Sequence, residues 1–336
     1  MMIRVGINGL GRIGRCLFRL LCSLDSSSKI ELAAVNGSSS IDLHRHLLKN
    51  DSVHGVYEHA IERIGEDFFS VNGKKIKFFC ERDPENVPWD SCGVDVVFEC
   101  TGKFNKKPLA AKHIRGTVKK VIVSAPVDGA DLQVIYGINE GSITNDHKVI
   151  SVGSCTTNCA AHVVGAIDRE FGIDGGFITT VHAYTNDQNH VDGSHKDFRR
   201  ARACGLSMIP TSTGASKALS LLFPHLDGKI SVAAVRVPTP NVSMVDFTFV
   251  PSVKVPRSSI NDALSKAADI RKDVLLATEE MLVSVDFNHT TYSAIFDLCE
   301  THVNDANFSR VVAWYDNEWA FANRMLDVAL IAQKFL

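Results

Sequence analysis

The run Gly9-Leu10-Gly11-Arg12-Ile13-Gly14 constrains this chain more than any other feature. It fits G-x-G-x-x-G, follows the β-rich run Ile3-Arg4-Val5-Gly6-Ile7-Asn8, and opens a stretch with Ile13, Leu17, Leu20 and Leu21 on one helical face. Strand, glycine turn and helix in that order form the context in which the motif binds a dinucleotide. The glycines make the tight turn and let the backbone approach a pyrophosphate, which the helix N-terminus stabilises. Further strands are expected at 31–35, 94–99 and 121–123, alternating with helical stretches. That alternation predicts a mostly parallel sheet, with ligands beyond the carboxyl ends of its strands.

The character changes after residue 150. Residues 155–170 read as a helix with a polar start, and 177–181, 230–237, 242–250 and 282–287 read as strands. The polar segment 183–205 is too long for an ordinary connection, a property common in functional loops. Residues 325–335 read as an apolar C-terminal helix. The expected class is α/β: a Rossmann-type dinucleotide-binding domain (1–153) plus an α+β catalytic domain with a mixed or antiparallel sheet (154–319). A last helix (320–336) is expected to pack back on the first domain.

Composition excludes more than it assigns. With 336 residues and a net charge of -2, nothing favours a nucleic-acid or membrane-surface partner, so a small molecule is expected. The nine cysteines are irregularly spaced and include no Cys-x-x-Cys pair, which predicts neither a disulfide framework nor a zinc site. No apolar run approaches the ~20 residues of a membrane span, so the cytoplasm is expected and no metal is assigned.

Cys155 stands at the predicted first turn of a helix, where backbone N–H groups and the helix dipole favour a thiolate. A thiolate adds to aldehydes and leaves well from thioesters, although a cysteine so placed is more often structural when taken alone. His182 ends a predicted strand beside the long polar segment. It could serve as general base, or simply as a solvated loop histidine. Arg199, Arg200, Arg202, the run Thr211-Ser212-Thr213-Gly214, and Arg236 suit anions. Arg236 lies between valines in a predicted strand, where a charge needs a partner or a ligand.

Together these residues resemble the glyceraldehyde-3-phosphate dehydrogenase family over essentially the whole chain. The matching runs are GINGLGRIGR from Gly6, SCTTNC from Ser154, TTVH from Thr179, PTSTGASK from Pro210, RVPTPN from Arg236 and WYDNEW from Trp314. The resemblance implies that Cys155 is the nucleophile and His182 its base. It implies that Thr185 and Arg236, with Asp187 nearby, hold the 3-phosphate of the substrate glyceraldehyde 3-phosphate. Ser154, Thr156, Thr213, Gly214 and Arg200 would hold the inorganic phosphate that attacks the thioester. Asn317 would orient the nicotinamide. Asn8, Gly9, Gly11, Arg12, Ile13, Gly14, Asn36, Ser38, Arg82, Thr101, Gly102 and Ser124 would form the NAD or NADP site. The long polar segment resembles the family's S-shaped loop, implying a homotetramer.

Two departures bear on the cofactor. Gly37 stands where relatives that prefer NAD carry an acid, and Gly193-Ser194 stand where bacterial relatives often carry Leu-Pro. Losing the acid and gaining a hydroxyl make room for a 2′-phosphate, so NADP acceptance is expected. Erythrose-4-phosphate dehydrogenase is a rival on the likeness of the runs from Leu282 and Phe321. The intact runs at Pro210 and at Tyr184-Thr185-Asn186-Asp187 favour the three-carbon substrate. A non-catalytic binding role is the rival of another class.

Overall fold

A computed structural model describes residues 2–25 and 27–336. The chain divides into two compact units, Met1–Ser154 with Ala322–Leu336, and Cys155–Phe321.

The first unit opens with β1 (Ile3–Asn8), α1 (Arg12–Ser23), β2 (Ile30–Asn36) and α2 (Ile41–Lys49). Its sheet has nine strands. Leu132–Gln133, Val149–Ser151, Lys120–Val123, Val96–Glu99, β1, β2 and Lys74–Phe79 run parallel, and Phe68–Val71 and Glu62–Ile64 add an antiparallel edge. Val5, Ile7, Val97, Phe98 and Val121 are wholly buried. Such continuous burial is the mark of a parallel sheet covered on both faces. Trp89 lies against β1, where a Cβ on Gly6 would overlap its ring. The C-terminal helix Trp319–Ala332 contributes Met325, Val328, Ala329 and Ala332, all without exposure, and Arg324 sits 5.5 Å from the centre of the Tyr136 ring.

The second unit is built on a seven-stranded mixed sheet. Its order is Ile209–Thr211, Ile230–Val237, Ile173–Ala183, Ser243–Pro251, Ser309–Tyr315, Ala294–Val303 and Leu275–Thr278. Ile173–Ala183 pairs parallel with Ile230–Val237 and antiparallel with Ser243–Pro251. The parallel pairing sets His182 directly opposite Arg236. The helix Cys155–Phe171 buries Cys159, Ala160, Val163, Val164 and Ile167.

Residues 282–287 do not form the expected strand. Ser284–Phe287 is a 3-10 turn, closed by the Asp286 carboxylate accepting the Val283 N–H at 2.8 Å. Val283 and Val285 are exposed while Phe287 is buried and stacks on Trp314. Alternating apolar residues therefore imitate a strand while only one of them reaches the core. Residues 184–208 carry neither helix nor strand, and long-range backbone bonds such as Gly193 N–H to Ala201 C=O (2.9 Å) and Cys204 N–H to Asn189 C=O (2.9 Å) hold them.

The glycines of the β1–α1 turn differ in what they demand. Gly9 has a φ of +97°, and a Cβ on Gly14 would overlap the Gly9 carbonyl oxygen, a backbone atom that cannot step aside. A Cβ on Gly11 would meet nothing, and its φ of -76° suits any residue. Gly14→Ala is expected to destabilise the fold by roughly 1–3 kcal/mol, the usual cost of overpacking. Gly11→Ala is expected to leave the thermal midpoint unchanged while weakening dinucleotide binding. Melting curves with and without NAD check both outcomes.

Candidate active site

The cleft of the first unit follows from its strand ends. A cavity of about 370 Å³ opens beyond β1 and β2 and is lined by Asn8, Gly9, Gly11, Asn36, Gly37, Ser38, Arg82 and Thr101, all expected from the sequence. Its floor is a buried polar network. Asn36 donates to Asn8 at 2.7 Å, Asn8 donates to Glu99 at 2.5 Å, and Glu99 also accepts from the Thr101 N–H at 2.7 Å. Trp89 Nε1, a donor only, lies 3.1 Å from His113 Nδ1, so Nδ1 accepts and Nε2–H is left to donate to Glu99 at 3.1 Å. Trp89, His113, Asn8 and Asn36 each donate to the next group, and these linked bonds hold the strand ends under the cleft.

Five expected cofactor residues of this unit, Arg12, Ile13, Gly14, Gly102 and Ser124, do not line the cavity. Arg12 and Ile13 begin α1 beside Gly14, and the Arg12 guanidinium forms a two-pronged pair with Asp51 at 2.5 and 3.0 Å. That pair, with the Val53 and His54 N–H groups, holds the Asp51 carboxyl well below its usual range despite burial. Gly102 takes a φ of +71°, and Ser124 N–H donates to the Glu99 carbonyl at 3.0 Å. The cleft also contains residues that the motif did not announce, notably His44, Glu81 and Lys103.

The candidate nucleophile Cys155 and candidate base His182 both lie in the second unit. Cys155 begins the helix Cys155–Phe171 after Gly153, whose φ of +67° turns the chain into it. Its Sγ is 3.4 Å from His182 Nε2. His182 Nδ1 is 2.7 Å from the Ala183 carbonyl oxygen and 2.5 Å from Arg236 Nη1, which itself donates to that oxygen at 3.0 Å. The Ala183 carbonyl is the only obligate acceptor among the three groups. When the Nδ1 proton is directed to it, the imidazole keeps an Nε2 lone pair facing the thiol, and Arg236 Nη1 bonds that carbonyl and not Nδ1. Tyr315 supports both partners: its hydroxyl is 2.9 Å from both Thr156 and Thr180, and its ring meets His182 edge-on at 5.9 Å. Tyr315 was not singled out by the sequence, although it lies in the run WYDNEW. The same run supplies Asp316, which accepts the Glu318 and Trp319 N–H groups and starts the C-terminal helix. Asn317 accepts from the Ser243 hydroxyl at 2.9 Å.

The electrostatics differ from the expectation for a helix-start cysteine. Burial pushes the Cys155 thiol up, and the Arg236 charge and the Thr156 N–H lower it by less. Burial and the adjacent Arg236 guanidinium bring His182 down to about 3. Both shifts favour the neutral forms, a thiol and an imidazole, in the ligand-free site. The helix terminus does lower the thiol, but desolvation outweighs it.

Of the anion-binding candidates, Arg200 and Asp187 lie close enough to Arg236 for their charges to act on it. The buried Nε of Arg236 has no hydrogen-bond partner. Arg200 pairs closely with Asp187 and donates to Thr211 Oγ1 at 2.6 Å. Thr185 is anchored by the buried Gln188, which accepts its N–H at 2.9 Å. Thr213 accepts the Ala215 N–H at 3.2 Å, beside Gly214 at the start of the helix Ala215–Leu222. Gly193 and Ser194 lie in the irregular segment, where Val191, Phe198, Leu206 and Met208 are exposed.

Two family models match the chain: the glyceraldehyde 3-phosphate dehydrogenase NAD binding domain over residues 3–107 and the C-terminal domain over 154–317. The chain belongs to the glyceraldehyde-3-phosphate dehydrogenase family. Glyceraldehyde-3-phosphate dehydrogenase 2 of Bacillus subtilis is 47% identical over 98% of this chain and 96% of its own length. The enzyme of Xanthobacter flavus is 45% identical over 99% of both chains, and that of Zymomonas mobilis is 46% identical over 100% of both. Membership brings a nicotinamide dinucleotide as cofactor, and the open Gly11 and the polar floor beneath the first unit's cleft suit one.

His182 is expected to stay neutral from pH 8 down to pH 5 in the ligand-free protein. Its folded pKa lies below the unfolded value of ~6.5, so the unfolded chain binds more protons between about 6.5 and about 3. This contribution to stability is therefore lost as pH falls through that window. Imidazole resonances assigned with His182→Asn as reference check the first statement. An imidazolium signal with a midpoint near 6.5 would contradict it.

Proposed function

We propose that this protein catalyses the reversible phosphorylating oxidation of D-glyceraldehyde 3-phosphate to 1,3-bisphosphoglycerate through a thioester on Cys155. The observation that carries the reading is the 3.4 Å approach of Cys155 Sγ to His182 Nε2, with Arg236 fixed on the far side of the imidazole. Cys155 Sγ adds to the aldehyde carbon while its proton leaves through Nε2, so that no free thiolate has to persist in a site that disfavours one. The proton is delivered to the new hemithioacetal oxygen. His182 then takes that proton back as the carbon is oxidised. The bound nicotinamide dinucleotide supplies the hydride acceptor. Inorganic phosphate attacks the thioester carbonyl, and the Cys155 sulfur departs, recovering its proton from His182.

Arg236, with Thr185 and Asp187, is assigned to the substrate's 3-phosphate, for which the unpartnered Arg236 Nε is a ready donor. Arg200, Thr213, Gly214, Thr156 and Ser154 are assigned to the attacking phosphate, and Asn317 to the nicotinamide carboxamide. Tyr315 positions Thr156 and the His182-bearing strand. The exposed apolar side chains of residues 184–208 favour a homotetramer in which a second copy covers them. Gly37 favours acceptance of NADP, because no carboxylate there repels a 2′-phosphate. The cytoplasm is the compartment in which these substrates and nine cysteines outside any disulfide fit best.

Initial rates with glyceraldehyde 3-phosphate, with and without inorganic phosphate and with NAD or NADP, test the reading. Phosphate-dependent reduction of the cofactor is expected. Cys155→Ser is expected to lower kcat at least about 10³-fold, and retention of dehydrogenase activity by that variant would overturn the mechanism. Arg236→Gln is expected to raise KM for the phosphorylated aldehyde far more than for unphosphorylated glyceraldehyde.

A further inference from the structure

His44 lies on the first turn of α2, in the wall of the first unit's cleft. It is 7% exposed, and neither ring nitrogen has a hydrogen-bond partner. A histidine buried as a packing element ordinarily satisfies at least one nitrogen, because an unmade bond is destabilising. The imidazole occupies the space above Gly37: a Cβ on that residue would overlap Nε2. Gly37 follows the last residue of β2, the strand end at which a sheet of this kind receives the ribose hydroxyls of a dinucleotide. One absent side chain thus admits another, which brings a nitrogen donor to that place.

The surroundings favour an anion there. Arg82 and Ser38 line the same cavity, and Arg15 on α1 adds a positive charge near the ring. Glu81, the neighbouring acid, is turned towards the Arg82 and Asp83 N–H groups, at 2.7 and 3.3 Å. Phe78 packs against the ring at 5.6 Å and limits its alternatives.

We infer that His44, whose ring fills the space left by Gly37, is the residue that reads the 2′ substituent of the adenosine ribose, donating an imidazole N–H to a 2′-phosphate beside the end of β2. The inference rests on the NADP reading above and names its recognition element. Selection then comes from α2, an element that the glycine motif does not include. Burial and the Arg15 charge keep the free imidazole neutral, and a neutral ring still offers one N–H donor.

Calorimetric binding of two fragments to the full-length protein, 2′,5′-ADP and 5′-ADP, isolates this contact from catalysis. The wild type is expected to bind 2′,5′-ADP more tightly. His44→Leu is expected to shrink that preference about tenfold, or ~1.4 kcal/mol, and His44→Gln, which keeps an N–H donor, to shrink it less. Gly37→Ala displaces the ring without deleting it and is expected to lower the preference as well, which covers the case of a poorly folded His44→Leu. A preference for 2′,5′-ADP that survives both His44→Leu and Gly37→Ala would overturn the role of His44 and leave NADP use standing. Absence of any such preference in the wild type would overturn both.

Discussion

The contact between the Arg236 guanidinium and the His182 imidazole is the constraint around which the second unit's chemistry is arranged. A permanent charge 2.5 Å from Nδ1 makes a second charge on the ring costly, and burial adds to that cost. Both effects, with the raised Cys155 thiol, favour a neutral pair over a preformed thiolate. Parallel pairing of Ile173–Ala183 with Ile230–Val237 makes the contact unavoidable, since a one-residue slip would turn His182 to the other face of the sheet. The shared acceptor, the Ala183 carbonyl, fixes both side chains at once.

The first unit solves a different problem, holding rigid a cleft that must accept a large polar ligand. Burying Asn8, Asn36, Glu99 and His113 would be costly if any were unsatisfied, but the donors and acceptors run in one continuous chain from Trp89 to Asn36. His44 is the exception in the same neighbourhood. Its two unpartnered nitrogens stand out because everything around the cleft floor is paired. Unpartnered ring nitrogens in the wall of a cleft are ones to which a ligand can supply the missing bond.

Much of the architecture was legible in the chain. The β1–α1 turn, the helix at Cys155 and the strands at 177–181, 230–237 and 242–250 follow from glycine placement, a polar helix start and β-branched runs. These are local signals, and local energetics realises them. The strand expected at 282–287 failed because Val283 and Val285 alternate as a strand would but face solvent. The strands Ala294–Val303 and Ser309–Tyr315 escaped notice because their identity depends on pairing partners distant in sequence.

What the amino-acid sequence determined by itself was which groups the protein has available: a cysteine at a helix start, a histidine at a strand end, an arginine among valines and a glycine turn for phosphate. Motif spacing encodes these because each depends on a few neighbouring residues. Tertiary structure alone decided the charges those groups carry and the roles they can take. Desolvation and proximity act through space, so the raised Cys155 thiol, the depressed His182 and the bracing hydroxyl of Tyr315 have no local signature. The same holds for His44, an unremarkable helix residue in one dimension that becomes the wall of a cleft only when α2 folds over Gly37.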